Sequence, residues 1–133
     1  MVNQINDIPD NYKVLIVEDD LILSIALSMM LKKIGFNNVE KVVNADEARD
    51  KMDEFAPDLL IMDINLGPGI SGIDFVKEIQ DSNQVDVIYI TGNSDMFNRM
   101  QAGETDYIDY LTKPVTPAEL KKSLSKLFSG VKK

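Results

Sequence analysis

Short apolar runs alternate with segments of helical periodicity along the whole chain, and this alternation restricts the fold more than any other feature. The runs at residues 14–17, 39–43, 59–62, 87–90 and 107–111 are each about the length of a buried strand. Three of them are nearly continuous in β-branched or large aliphatic residues, as strands covered on both faces are. Between them, Ala45, Ala48, Met52 and Phe55 repeat at spacings of three and four, as do Ile73, Val76 and Ile79, and then Leu120, Leu124, Leu127 and Phe128. Residues 21–34 are apolar round most of the helical circumference. Ser24, Ser28 and Lys32 form one polar line there, so the segment reads as a helix buried on a broad face. A further helix is expected over 94–102. Gly35 is placed to end the first helix, Asn44 or Asp46 to cap the second, and Thr116 with Pro117 to open the last. Strict alternation implies right-handed βαβ units and a parallel sheet. The expected fold is therefore α/β and doubly wound, with five strands and five helices.

At 133 residues, 44% of them hydrophobic, the chain can bury one core. It divides into a polar tail, 1–11, and one domain, 12–129. With 22 acidic residues against 14 basic, the formal charge of -8 repels phosphate backbones, so no DNA-binding module is expected. The absence of cysteine removes disulfides and thiolate zinc sites, which fits a reduced, cytoplasmic setting. Residues 1–11 lack the pattern of a signal peptide, and no apolar run approaches the roughly 20 residues of a membrane span. Histidine is absent too, so any chemistry falls to carboxylates, hydroxyls, lysines and backbone.

In open parallel sheets, functional groups gather beyond the carboxyl ends of the strands. The first run leads into Glu18, Asp19 and Asp20, the third ends at Asp63, the fourth at Thr91, and the fifth at Lys113 followed by Pro114. Carboxylates about 5 Å apart repel by roughly 3 kcal/mol at an effective dielectric near 20. A lysine offsets part of this. A divalent cation offsets more, and hard oxygen donors without sulfur or imidazole select Mg²⁺, or Mn²⁺, which need few protein ligands. Each residue also has a bland reading: Asp19 or Asp20 as a helix cap, Asp63 as a loop acid, Thr91 as a turn hydroxyl, Lys113 as a solvated lysine, Tyr110 as a core aromatic. Their joint arrival at one sheet edge favours chemistry.

The ordered set V-E-D-D at 17–20, L-L-I-M-D-I-N-L-G-P-G-I-S-G-I-D at 59–74, I-T-G at 90–92 and Y-L-T-K-P at 110–114 resembles two-component response regulator receiver domains of the CheY-like, single-domain kind. The resemblance covers residues 12–128. It implies a flavodoxin-like sheet of order 2-1-3-4-5, with Asp63 as phosphoacceptor. It also implies that Glu18, Asp19 and Asp63 organise the metal, Glu18 through water, together with the backbone carbonyl of Asn65. Thr91 would bond the phosphoryl group, Lys113 would pair with carboxylate or phosphate, and Tyr110 would be an aromatic switch that turns inward. The Lys113–Pro114 bond would be cis. The donor would be a phosphohistidine on a sensor histidine kinase or histidine phosphotransferase. Output would pass by contact to a downstream protein effector from a monomer or weak dimer, with no membrane involved. The chain would modify and unmodify only itself, and so would not be an enzyme.

Some positions depart from the family pattern. The loop holding Gly67, Pro68 and Gly69 is one residue longer than usual, although Pro68 and Gly72 supply the expected turn chemistry. Gly92 replaces a usual alanine, and Asp106 and Tyr107 stand where Gly-Ala is common. Asn65 and Asn93 occupy positions that tune autodephosphorylation in the family. Other functions remain open: an aspartyl-phosphate phosphohydrolase, against which Asn65 stands where a second acid is needed; a flavodoxin-like carrier, against which the acidic loop 18–20 would repel a flavin phosphate; and a degenerate receiver that only binds protein.

Overall fold

The computed structural model describes residues 8–67, 69–92 and 96–128. Its elements alternate without exception: β1 (Lys13–Val17), α1 (Leu21–Ile34), β2 (Asn38–Val42), α2 (Ala45–Glu54), β3 (Leu59–Asp63), α3 (Gly72–Gln80), β4 (Asp86–Thr91), α4 (Met96–Ala102), β5 (Asp109–Thr112) and α5 (Pro117–Phe128). All strand pairs are parallel, in the order β2-β1-β3-β4-β5. The expected doubly wound fold is thus observed. The fifth strand begins at Asp109, two residues later than its apolar run, and residues 94–95 of the fourth expected helix lie outside the described residues.

Alternation along each central strand builds two cores, because successive side chains point to opposite faces. Leu15, Val17, Leu60, Met62, Val87 and Tyr89 join Met52 of α2 and Phe75 and Val76 of α3. Val14, Ile16, Leu59, Ile61, Ile88 and Ile90 join Leu27 and Leu31 of α1 and Leu120 and Leu124 of α5. Burying a side chain of this size contributes about 1.5–3 kcal/mol, so strands β1, β3 and β4 are held from both sides. That rigidity fixes whatever follows their last residues.

Helix ends follow the local chemistry. Asp20 caps α1 by accepting from the Ile22 and Leu23 amides, Asn44 caps α2 through Glu47 N, and Ser71 caps α3 through Asp74 N. Thr116 and Glu119 exchange bonds at the start of α5 as a capping box. Gly35, at φ 132°, closes α1. The N-terminal approach is tied down by Asn38 Nδ2 donating to Asp10 O, with Ile8 packed on the second core.

One expectation is reversed. Ser24 and Ser28 are buried, while Ile22 (82% exposed), Ile25 and Met29 face outward. The i, i+4, i+8 row drifts about 40° per step on a 3.6-residue helix. It therefore begins on the buried face with Ser24, shared with Leu27 and Leu31, and leaves it by the exposed Lys32. A polar line at this spacing is not a face.

Candidate functional site

The site begins where β1 stops. Glu18 N still donates to Val42 O at 3.1 Å, so the first acid is held by the ladder and its side chain is fully buried. Glu18 Oε2 accepts from Asp20 N at 2.9 Å. Asp20 is thereby explained as the cap of α1, and Asp19, between them, is left exposed at the sheet edge. Of the two acids that could have been caps, the structure assigns that role to Asp20.

Asp63 ends β3 and is 1% exposed. Its Oδ1 accepts from Asn65 N at 3.0 Å, and its Oδ2 accepts from Lys113 Nζ at 3.2 Å. The same ammonium lies 3.0 Å from Glu18 Oε1. Lys113 reaches both because its own amide donates to Thr91 O at 2.8 Å, which fixes the end of β5 beside β4; the Lys113–Pro114 bond is cis, as expected. Thr91 is fully buried at the end of β4, paired in register with Thr112. Asn65 is exposed just beyond Asp63, and Asn93 lies outside the described residues.

The loop after Asp63 owes two of its glycines to different constraints. Gly67 adopts φ 84°, which disfavours a side chain. Gly72 has a different reason from turn chemistry: a Cβ there would lie 2.2 Å from the Asp63 carbonyl oxygen. Gly72 N donates to Ile64 O at 2.8 Å, so α3 starts in contact with the strand end that carries Asp63.

Burial dominates the electrostatics. It pushes the Glu18 carboxyl up to about 7, against the Asp20 amide and Lys113. It raises Asp63 as well, against the Asn65 amide and Lys113. Burial also works against the Lys113 ammonium, but its bonds to the two carboxylates outweigh that and raise it. Glu18, Asp19 and Asp63 each offer a carboxylate oxygen within 4.8 Å of the others. An all-oxygen donor set with one lysine against two buried acids fits a hard divalent cation.

Tyr110 of β5 is buried, with its ring among those of Tyr89 and Tyr107 and beneath the Arg99 guanidinium. The sequence pointed to Tyr110 but not to Arg99, whose helical position carries no signal of a ring contact.

Comparison with known proteins identifies the family and the fold. The sequence matches the family described as the response regulator receiver domain over residues 14–125, and the chain belongs to that family. It is 33% identical over 111 residues to the phosphate regulon transcriptional regulatory protein PhoB of Rhizobium meliloti (strain 1021), covering 81% of this chain and 48% of that protein. It is 33% identical over 107 residues to the aerobic respiration control protein ArcA of Escherichia coli (strain K12), covering 80% and 44%. The chain thus spans about half the length of these relatives. Among solved structures, the N-terminal domain of a response regulator/sensory box/GGDEF three-domain protein from Carboxydothermus hydrogenoformans superposes with a TM-score of 0.78 at 26% identity, over 88% of this chain and 96% of that one. A CheY-like receiver domain protein from Methanospirillum hungatei JF-1 shares the fold, with a TM-score of 0.81 at 24% identity over 89% and 94%. No helix among the described residues is long and apolar enough to cross a membrane.

Proposed function

We propose that Asp63 accepts a phosphoryl group from a phosphohistidine on a partner, a sensor histidine kinase or histidine phosphotransferase, and that Thr91 and Tyr110 carry the change to a downstream protein effector. The observation that carries this reading is a buried Asp63 whose Oδ2 meets Lys113 Nζ at 3.2 Å beside two further carboxylates. An Asp63 oxygen forms the new P–O bond as the P–N bond breaks, and the leaving imidazole takes up a proton. Phosphoryl transfer asks the protein mainly for positioning and charge neutralisation. The Asn65 amide and Lys113 orient the carboxylate, and the Thr91 hydroxyl, at the end of β4, would donate to the phosphoryl oxygens. Glu18, Asp19, Asp63 and the Asn65 carbonyl would hold Mg²⁺ or Mn²⁺, which supplies positive charge to those oxygens when bound.

The added group brings nearly two negative charges, and that local charge biases a two-state surface. The chain modifies only itself and turns over no external substrate: Asn65 stands where a phosphohydrolase would need a second acid. The setting is cytoplasmic, and the working state is a monomer or weak dimer.

The test is intact mass after incubation with acetyl phosphate or phosphoramidate, with and without Mg²⁺. One phosphoryl adduct is expected, dependent on Mg²⁺ and absent from Asp63→Asn, whose circular dichroism stays native. An adduct retained by that variant would overturn the assignment, and release of phosphate from a small ester at a steady rate would favour the phosphohydrolase.

A further inference from the structure

Tyr107, which stands where the family commonly has alanine, brings an extra ring to the switch. Its ring centroid is 5.6 Å from that of Tyr89 and 6.5 Å from that of Tyr110, and Tyr89 and Tyr110 are 6.2 Å apart. The three rings meet in tilted and edge-on geometries, which aromatic pairs favour. Tyr89 is the fixed member. It is fully buried, and its hydroxyl lies 2.8 Å from Thr105 Oγ1. Thr105 spends its one hydroxyl proton on Ala102 O at 2.7 Å, so Tyr89 must be the donor in the shared bond. The last residue of α4 is thereby joined to the base of the ring cluster.

The same helix supplies the roof. The Arg99 guanidinium carbon lies 4.6 Å from the centroid of the Tyr110 ring, within the range of a cation–π contact. Arg99 is itself exposed, and Tyr107 is 37% exposed, so the guanidinium and one ring close over Tyr110 from the solvent side. The Arg99 contact uses no group of the Asp63 site. Its contribution to the inward position is therefore separate from any bond that Thr91 makes there.

The geometry points to Arg99 as a positioning residue that holds Tyr110 inward through its ring face, coupling α4 to the aromatic switch before phosphorylation adds its own bias. The inference rests on reading Tyr110 as the switch. An outward rotation of Tyr110 must surrender the Arg99 contact, and a shift of α4 that withdraws Arg99 must release the ring. A ligand or partner that binds α4 and moves Arg99 would thus change the population of the switch without touching Asp63.

The test uses the whole chain labelled with 3-fluorotyrosine. Fluorine NMR reads the solvent exposure of each ring from the shift between H₂O and D₂O, with Tyr110 assigned by Tyr110→Phe. Arg99→Ala is expected to lower the inward-to-outward ratio of Tyr110 about two- to five-fold, to leave Tyr12 unchanged on the other core, and to be partly rescued by Arg99→Lys. An unchanged Tyr110 resonance in Arg99→Ala would overturn the inference. If Tyr12 moves as well, through general loosening, Arg99→Met decides, since it keeps an apolar stem and removes the charge: release of Tyr110 supports the contact and no release refutes it. Addition of acetyl phosphate with Mg²⁺ separates the two readings. An Asp63 adduct that leaves Tyr110 unmoved in wild type and Arg99→Ala alike overturns the coupling. Absence of any adduct removes the phosphoacceptor reading and leaves the ring measurement intact.

Discussion

Of the places where lysine or arginine meets carboxylates, the sheet edge and the α2–α3 pair have opposite consequences. At the sheet edge, Lys113 faces Glu18 and Asp63, which are almost wholly buried, and both acids are raised because burial outweighs their bonds. Across the helices, Arg49 grips Glu78 from α2 to α3 through two donors at 2.6 and 2.9 Å, both side chains more than 40% exposed. There the bond to Arg49 lowers Glu78. The pairing chemistry is alike and the solvent differs. Water screens the helix pair and keeps both partners charged, whereas the edge cluster holds two acids short of positive charge. Such a deficit is what a divalent cation can offset.

The sharpest way to break this contrast is to remove Lys113. In Lys113→Met, two buried carboxylates lose their counter-charge, and loss of about 3 kcal/mol is expected in urea titrations of chelator-treated protein at pH 7.5. Saturating Mg²⁺ should restore part of it by binding the folded state alone. A loss no larger than that of a surface lysine would show that the edge is better solvated than its burial implies.

A smaller effect is expected from pH. Glu18 has its folded-state pKa raised from 4.5 to about 7. Between those values the folded state holds more protons than the unfolded one, so raising the pH draws stability away. The contribution is fully present below about 4.5 and lost as the pH passes about 7, on the order of 1–3 kcal/mol. Asp63 acts in the same direction. Lowered Glu78 and Asp109 act oppositely, but at lower pH, below their ordinary values. Unfolding midpoints of cation-free protein should therefore fall across this window, and Glu18→Gln should flatten the slope. A slope unchanged in that variant would assign it elsewhere.

The smallest effect belongs to the helix pair. Arg49→Ala should cost about 0.2–1 kcal/mol, part of it from the guanidinium lying 5.7 Å above the Phe75 ring, and the ionic part should fade in molar salt. A cost near that of Lys113→Met would erase the distinction between the two regions.

The sequence by itself determined the layering. Strands that send alternate residues to two cores must be apolar throughout, and the residue where the apolar run stops is the residue at the sheet edge. Glu18, Asp63 and Thr91 were legible for that reason, and Lys113 follows one residue past the end of β5. The cap at Thr116, whose partner lies three residues away, was legible too, whereas the choice of Asn44 over Asp46 for the second helix came from the structure. Tertiary structure alone decided which of Asp19 and Asp20 stays free, because that depends on where α1 begins against Glu18. It decided that Ser24 and Ser28 face inward, since the helix is oriented by Leu27 and Leu31 on the second core. It also decided that Gly72 clears the Asp63 carbonyl, that Lys113 spans 50 residues of sequence to reach Asp63, and that Arg99 covers Tyr110. Periodicity and capping act within a few residues, while close approach and burial arise only when distant segments share one volume.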